Sequence, residues 1–308
     1  MSSLGTRLLE LYVQLGGGVL LGWVLGRLLP KAVPALLGQF LFWIGVPIGI
    51  FSFLRGADLS GSILIAPVAA WVAILAGAGL AWAWSGAYSH QNWSKATQGS
   101  FILASMVGNT GYLGYPLTLA IVGQKYFVWA IFYDLLGSTL GAYGLGVILA
   151  ARFGMGTQSV GQLILTFVKN PAMWSFGLGL AFRNLPLPES VEQLLRVSAW
   201  SAIAFALVLI GMRLSELSSW GSWRQASISL SIKMLLVPLV VGGAVRLLGV
   251  TGAPQLVIVL QMAMPPAFAT LILAEAYNLD RDMAVTAIAL GAIALIVTLP
   301  VLLLLFAV

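Results

Sequence analysis

Long apolar stretches, separated by short groups of charged and turn-forming residues, follow one another along the whole chain. A helix that crosses a bilayer needs about 20 mostly apolar residues. If charged residues, Gly and Pro are taken as boundaries, the chain divides into ten such runs. They lie near residues 9–29, 34–54, 62–84, 97–123, 125–151, 170–184, 190–212, 225–248, 255–277 and 283–306. The pattern predicts an all-α membrane protein with ten transmembrane helices.

The sixth run is shorter than the others, and the segment before it, residues 158–169, is amphipathic. Such a segment is typical of a helix that lies in the membrane interface.

The second half of the chain resembles the first at an offset of 154 residues, which is half its length. Two pairs illustrate the offset: Pro34 with Pro188, and Gly137 with Gly291. An odd number of helices in each half inserts the second copy upside down, which is the plan of many secondary transporters. We expect residues 1–151 to form a first inverted repeat and residues 152–308 a second; chance alignment of apolar helices is the alternative.

Composition excludes a soluble protein and a nucleic-acid-binding module. The chain is 60% hydrophobic and 8% charged, with a mean hydropathy of +1.01, whereas soluble domains carry about 25% charged residues. The net charge of +6 is spread along the chain, so we expect no nucleic-acid partner. With no cysteine and only one histidine, His90, the sequence predicts no metal site and no cofactor.

Charges between the runs indicate the orientation. With an extracytoplasmic N-terminus, the cytoplasmic loops carry Arg27, Lys31, Lys95, Arg152, Lys169, Arg213, Arg224 and Arg281. The outer side carries Arg7, Arg55, Lys125, Arg183, Arg196 and Arg246. The excess favours extracytoplasmic termini under the positive-inside rule, and we expect a multi-pass protein of the plasma (inner) membrane.

The fourth run contains residues that interrupt a helix. Gly108, Gly111 and a third glycine lower helix propensity, and Pro116 removes a backbone donor. Asn109 lies in mid-span, where an unpaired amide is costly. We expect this helix to unwind around residues 109–115 and to restart at Pro116.

The ninth run is interrupted at the same depth by Pro265 and Pro266. Thr270 is the position 154 residues after Pro116, so the two breaks overlap without matching residue for residue. Paired breaks in corresponding helices indicate a transport site, and the N-termini of the second half-helices suit an anion. Two ordinary proline kinks filled by packing are the alternative.

Two ionisable residues lie within predicted membrane spans: Asp134 in the fifth run and Lys233 in the eighth. Such residues are functional candidates, and Asp134, which shares a helix face with Ser138, is a candidate for proton coupling. Alternatively, Asp134 forms a structural pair with Lys233 or a tyrosine, or Lys233 extends to the interface. Gln261, just before the second break, is placed to bond a carboxylate or Asn109.

Acidic residues surround the turn after the ninth run: Glu275, Asp280 and Asp282. Their spacing indicates either a cation site or a solvated turn.

Two motifs carry a resemblance to a known family. Residues 109–116 read Asn-Thr-Gly-Tyr-Leu-Gly-Tyr-Pro, which resembles the Asn-Thr-x-x-x-Gly-x-Pro pattern of the auxin efflux carrier family. Residues 264–280 resemble the ninth helix of that family and its exit, and Lys169-Asn170-Pro171 resembles the entry to its sixth helix. The similarity extends over essentially the whole chain.

The resemblance implies a ten-helix fold similar to that of bile-acid symporters and sodium/proton antiporters. Helices 1, 2, 6 and 7 would form a scaffold, often a homodimer interface, and helices 3–5 and 8–10 a transport domain with helices 4 and 9 crossing. Transport would follow an elevator mechanism. Asn109 matches the asparagine that contacts the substrate carboxylate in plant carriers, and Pro116 the crossover proline. The chain differs from plant carriers in three ways. It has Thr270 where they have a proline, its third run contains no charged residue although theirs does, and it lacks their long central loop.

The sequence therefore predicts a secondary transporter of small organic anions, auxin-like or other carboxylates, and not an enzyme. A sodium-coupled importer on the same fold is the alternative, and a membrane-embedded enzyme or a sensor is a more distant one. The predicted substrate-binding residues are Gly108, Asn109, Thr110, Gly111, Pro116, Gln261, Pro265 and Pro266, with Asp134 for proton coupling.

Overall fold

Helices account for nearly all of the secondary structure. The computed structural model describes residues 2–59, 62–87, 93–154, 165, 168–216 and 221–306. We number the helices as α1 (Ser2–Leu28), α2 (Ala32–Leu54), α3 (Ile65–Ala87), α4a (Lys95–Met106), α4b (Tyr115–Ile121), α5 (Gln124–Phe153), α6 (Pro171–Ala181), α7 (Glu189–Glu216), α8 (Trp223–Leu247), α9a (Ala253–Met262), α9b (Phe268–Ala276) and α10 (Arg281–Phe306).

Six of the described helices, α2, α3, α5, α7, α8 and α10, are long and apolar enough to cross a membrane. Helix α1 begins at Ser2, earlier than the run predicted from residue 9. His90 and most of the predicted interfacial segment 158–169 lie outside the described residues. The all-α, apolar architecture is that of a multi-pass integral membrane protein.

The described chain divides into two compact units. The first comprises residues Met1–Gly61, Gly111–Ile131 and Val168–Leu217. It contains α1, α2, α4b, α6 and α7. The second comprises Ser62–Thr110, Phe132–Phe167 and Ser218–Val308, and contains α3, α4a, most of α5, and α8 to α10.

Small residues bring α1 and α7 of the first unit into close contact. A Cβ atom on Gly22 would overlap the carbonyl oxygen of Val208, and one on Gly26 would lie 2.8 Å from the Cα of Met212. Gly211 plays the same part on α7, since a Cβ there would overlap the backbone of α1 at Val19. This glycine face therefore lets the two backbones approach as small residues do in membrane helix pairs.

In the second unit, α4a is buried along the whole of its last two turns, from Gly99 to Met106. Its N-terminus is anchored to the acidic turn before α10. Asp280 accepts hydrogen bonds from the Thr97 hydroxyl (2.8 Å) and from the Met283 amide (2.9 Å). Glu275 forms an ion pair with Arg281, so two of the three acidic residues of this turn have structural partners.

The close approach of α1 and α7 yields a stability prediction. Gly22→Ala should lower the free energy of unfolding by about 1–3 kcal/mol, the usual cost of overpacking, because its methyl group must displace the Val208 carbonyl. Gly17→Ala is the matched control, since no atom beyond the adjacent backbone of its own helix lies within 4 Å of a Cβ at that position. Thermal unfolding in one detergent measures both variants, and equal melting temperatures would contradict this account of the interface.

Candidate functional site

Helix α4 is interrupted earlier than its sequence predicts. Helix α4a ends at Met106, and Val107 has extended backbone angles (φ −103°, ψ 116°). The backbone re-enters a helical path, of π type, at Thr110–Gly114, and α4b begins at Tyr115 with Pro116 in its first turn. The predicted unwinding over residues 109–115 is therefore wrong in its bounds: the non-helical segment is 107–109.

Helix α9 is interrupted where its prolines predict. Helix α9a ends at Met262, and α9b begins at Phe268. Pro265 and Pro266 have no backbone N–H, so neither could continue the ladder of the helix before it. The non-helical backbone between the two halves is thus intrinsic to the sequence.

The two interrupted segments pair with each other through their main chains. The Asn109 amide donates to the Pro265 carbonyl (2.7 Å), and the Ala267 amide donates to the Val107 carbonyl (3.2 Å). Between these bonds, Gly108 lies opposite Pro266 in an antiparallel bridge. Backbone groups that no longer bond within a helix are costly when buried. Each break therefore supplies hydrogen-bond partners that the other needs.

Lys233 reaches this pairing from α8. Its ammonium donates to the carbonyl of Met262, the last residue of α9a, at 2.6 Å, and the residue is only 4% exposed. A Cβ on Gly108 would lie 3.1 Å from the lysine Nζ atom, so only glycine leaves the amine its full space. Among the described residues, no carboxylate forms an ion pair with Lys233. The structure thus places this lysine inside the unit, against the end of a half-helix.

Asp134, on α5, contacts the residue that follows the fourth-helix break. It accepts a hydrogen bond from the Thr110 hydroxyl at 2.5 Å and is nearly buried. Asp134 opens a π-helical turn, Asp134–Thr139, and Lys233 lies in another, Ser231–Leu236. Such turns occur often at functional sites.

The side chain of Asn109 lies in the buried fourth-helix break. The residue is buried, with 7% of its surface exposed. Its carboxamide has no hydrogen-bond partner in the part of the chain that the structure describes. A buried amide normally has such partners. Gln261, on the last turn of α9a, is fully buried in the same unit.

The predicted substrate-binding residues fall into two groups. Gly108, Asn109 and Thr110 belong to the second unit, with Gln261, Pro265 and Pro266. Gly111 and Pro116 belong to the first unit, where they line a small apolar cavity of about 30 Å³ with Tyr115, Phe127 and Ala202.

The sequence made Lys233 a functional candidate because it lies within a predicted span, with a structural pair with Asp134 or an extension to the interface as alternatives. Its position beside Gly108 depends on how α8 packs against the break, which the spacing of residues along the chain does not encode. The signal that pointed to it was a charge in the middle of an apolar run.

Comparisons with known proteins agree with this architecture. The family profile described as "Membrane transport protein" matches residues 6–303. An uncharacterized transporter of Methanothermobacter thermautotrophicus is 30% identical over 290 residues, which cover 92% of this chain and 93% of that protein. Auxin efflux carrier component 6 of Arabidopsis thaliana is 27% identical over 154 residues, covering 46% of this chain and 26% of that protein.

Proposed function

Because this chain belongs to the membrane transport protein family, which includes the auxin efflux carriers, we propose that it is a secondary carrier of small organic anions, auxin-like or other carboxylates. The observation that carries the proposal is the buried carboxamide of Asn109, which has no partner among the described residues and adjoins two paired helix breaks. Paired breaks of this kind form substrate sites in secondary transporters.

The chemistry around Asn109 suits a carboxylate. The amide group of Asn109 is a neutral donor, and the ammonium of Lys233, which lies against the neighbouring Gly108, supplies a positive charge when it is protonated. A carboxylate bound by both groups would keep its charge inside the membrane without leaving it unpaired. Helix α9b, with its N-terminus at Phe268, adds the positive end of a helix dipole in the same unit.

We propose an elevator mechanism in which the second unit carries the substrate. The paired breaks, Asn109, Lys233 and Asp134 all belong to that unit, so substrate and ionisable groups would move together. The first unit, built on the close contact of α1 with α7, would act as the scaffold and as the interface of a homodimer. The ten spans as two inverted repeats, 1–151 and 152–308, are part of the same proposal.

Asp134 is the proposed coupling group. A carboxyl group that is nearly buried and hydrogen-bonded to Thr110, beside the proposed substrate site, can bind a proton in one state of the carrier and release it in another. A sodium-coupled importer on the same fold is the alternative, and an imposed ion gradient distinguishes the two.

Asn109→Ala should weaken carboxylate binding by about 1–3 kcal/mol, the range for losing a hydrogen bond to a charged group. Thermal-shift titration with phenylacetate, indole-3-acetate and malonate first identifies a carboxylate that binds the unsubstituted protein, and the variant is then titrated with it. Gln193→Ala, which removes an exposed carboxamide from α7, is the control and should bind normally. Equal affinities of Asn109→Ala and the unsubstituted protein would contradict the role of Asn109.

Lys233→Gln should lower the affinity for the same carboxylate at least tenfold, since a charge-assisted partner is worth about 1.5–3 kcal/mol. Binding of the corresponding uncharged amide should change little, because that ligand has no charge to balance. Lys95→Gln, an exposed lysine of the same unit, is the matched control. If the carboxylate and the amide weaken equally, Lys233 supports the shape of the site and not the charge of the substrate.

Asp134→Asn should abolish transport driven by a pH gradient while leaving equilibrium binding within a few fold. Asparagine keeps the shape and still accepts a hydrogen bond from Thr110, but it cannot titrate. Uptake into proteoliposomes is measured under a pH gradient and, separately, under a sodium gradient, with the melting temperature recorded beside them. A lowered melting temperature with an unchanged pH dependence would make Asp134 a structural residue, and transport driven only by sodium would favour the importer.

A further inference from the structure

A basic pocket of about 390 Å³ lies in the first unit, and none of its lining residues belongs to the helix breaks. Polar and charged side chains form much of its wall: Arg55, Gln124, Arg183, Asn184, Glu192 and Arg196. Three guanidinium groups thus face one carboxylate. The pocket is within the size range of small-ligand sites.

Arg55 fixes one wall of this basic pocket. Its guanidinium donates to the carbonyls of Phe182 (3.1 Å) and Leu185 (2.7 Å), and to the carboxylate of Glu192 (2.9 Å). The Gly56 amide also donates to the Arg183 carbonyl (3.3 Å), which ties the end of α2 to the segment between α6 and α7. The wall is therefore preformed, and Glu192 is already neutralised by Arg55.

Arg183 and Arg196 remain to bind a ligand. Neither guanidinium has a hydrogen-bond or ion-pair partner in the described part of the chain. Two uncompensated positive charges in one concave site favour an anion, and the planar guanidinium matches the oxygens of a phosphate group.

An apolar groove adjoins the basic pocket. It has a volume of about 460 Å³, and Leu195 lines both cavities. The groove lies along α2 and α6, with a wall formed mainly by Trp43, Pro47, Ile48, Phe51, Trp174 and Leu178. Helix α6 has only 11 residues, and at 1.5 Å per residue it spans roughly half of the hydrocarbon core. The short helix leaves apolar surface of its neighbours uncovered.

We propose that the basic pocket and the apolar groove together bind one anionic phospholipid. The phosphate of its headgroup lies between Arg183 and Arg196, and an acyl chain follows the groove past Leu195. The shared lining residue Leu195 argues for a ligand that carries both parts, because a free phosphorylated molecule would leave the groove uncovered. The site shares no residue with the proposed substrate site and does not depend on what the carrier transports.

Native mass spectrometry of the full chain, titrated with phosphatidylglycerol or with phosphatidylcholine of the same acyl chains, tests the assignment. The unsubstituted protein should retain phosphatidylglycerol preferentially. The double variant Arg183→Gln/Arg196→Gln should lose about tenfold in affinity for it, the low end for one charge-assisted hydrogen bond. The control Arg224→Gln/Arg246→Gln removes two exposed charges from the second unit and should bind as the unsubstituted protein does.

The groove is tested by Leu178→Trp, which fills it, against Val240→Trp, which enlarges an exposed apolar side chain of α8. Only Leu178→Trp should reduce lipid retention. Glycerol phosphate, added as the free headgroup, should not compete at concentrations where the lipid does. Competition by glycerol phosphate, equal retention of the two lipids, or a change in oligomeric mass with Leu178→Trp in place of lipid loss would each overturn the proposal.

Discussion

Two backbone hydrogen bonds, from Asn109 to Pro265 and from Ala267 to Val107, allow the rest of the candidate site to exist. A helix that stops inside a membrane exposes amides and carbonyls that lipid cannot satisfy. Because the two breaks lie against each other, each provides hydrogen-bond partners for backbone groups of the other. Lys233 donates a further hydrogen bond to the carbonyl of Met262 at the end of α9a. Without either break, the other would bury backbone amides and carbonyls that have no hydrogen-bond partner.

This pairing also explains the small residues and prolines around it. Gly108 leaves room for the lysine amine, and Gly291 of α10 lets that helix approach the proline pair, where a Cβ would lie 2.9 Å from Pro265. The prolines end α9a without leaving unpaired amides of their own. The hydrogen bond from Thr110 to Asp134 then fixes the residue that follows the non-helical segment 107–109. Backbone, glycines and ionisable side chains thus form one interdependent arrangement inside a single unit.

Most of the helical architecture and the existence of both breaks followed from the sequence, because apolar length, glycine and proline act locally. The bounds of the fourth-helix break did not: glycine propensity favoured unwinding at 109–115, whereas pairing with 265–267 selects 107–109. Lys233 beside Gly108 and Thr110 beside Asp134 depend on packing between distant segments, so spacing alone could not pair them. Asn109 could be singled out from the sequence because an unpaired amide in mid-span is costly, and its role in binding stays a prediction.

The bridge between the two breaks is made of main-chain atoms, which every residue type carries. The side chain at position 109 can therefore change without loss of the main-chain hydrogen bonds that join the two breaks. Under the proposed function, substitutions at position 109 would change substrate preference, while the glycines and prolines that shape the backbone would stay under a separate constraint.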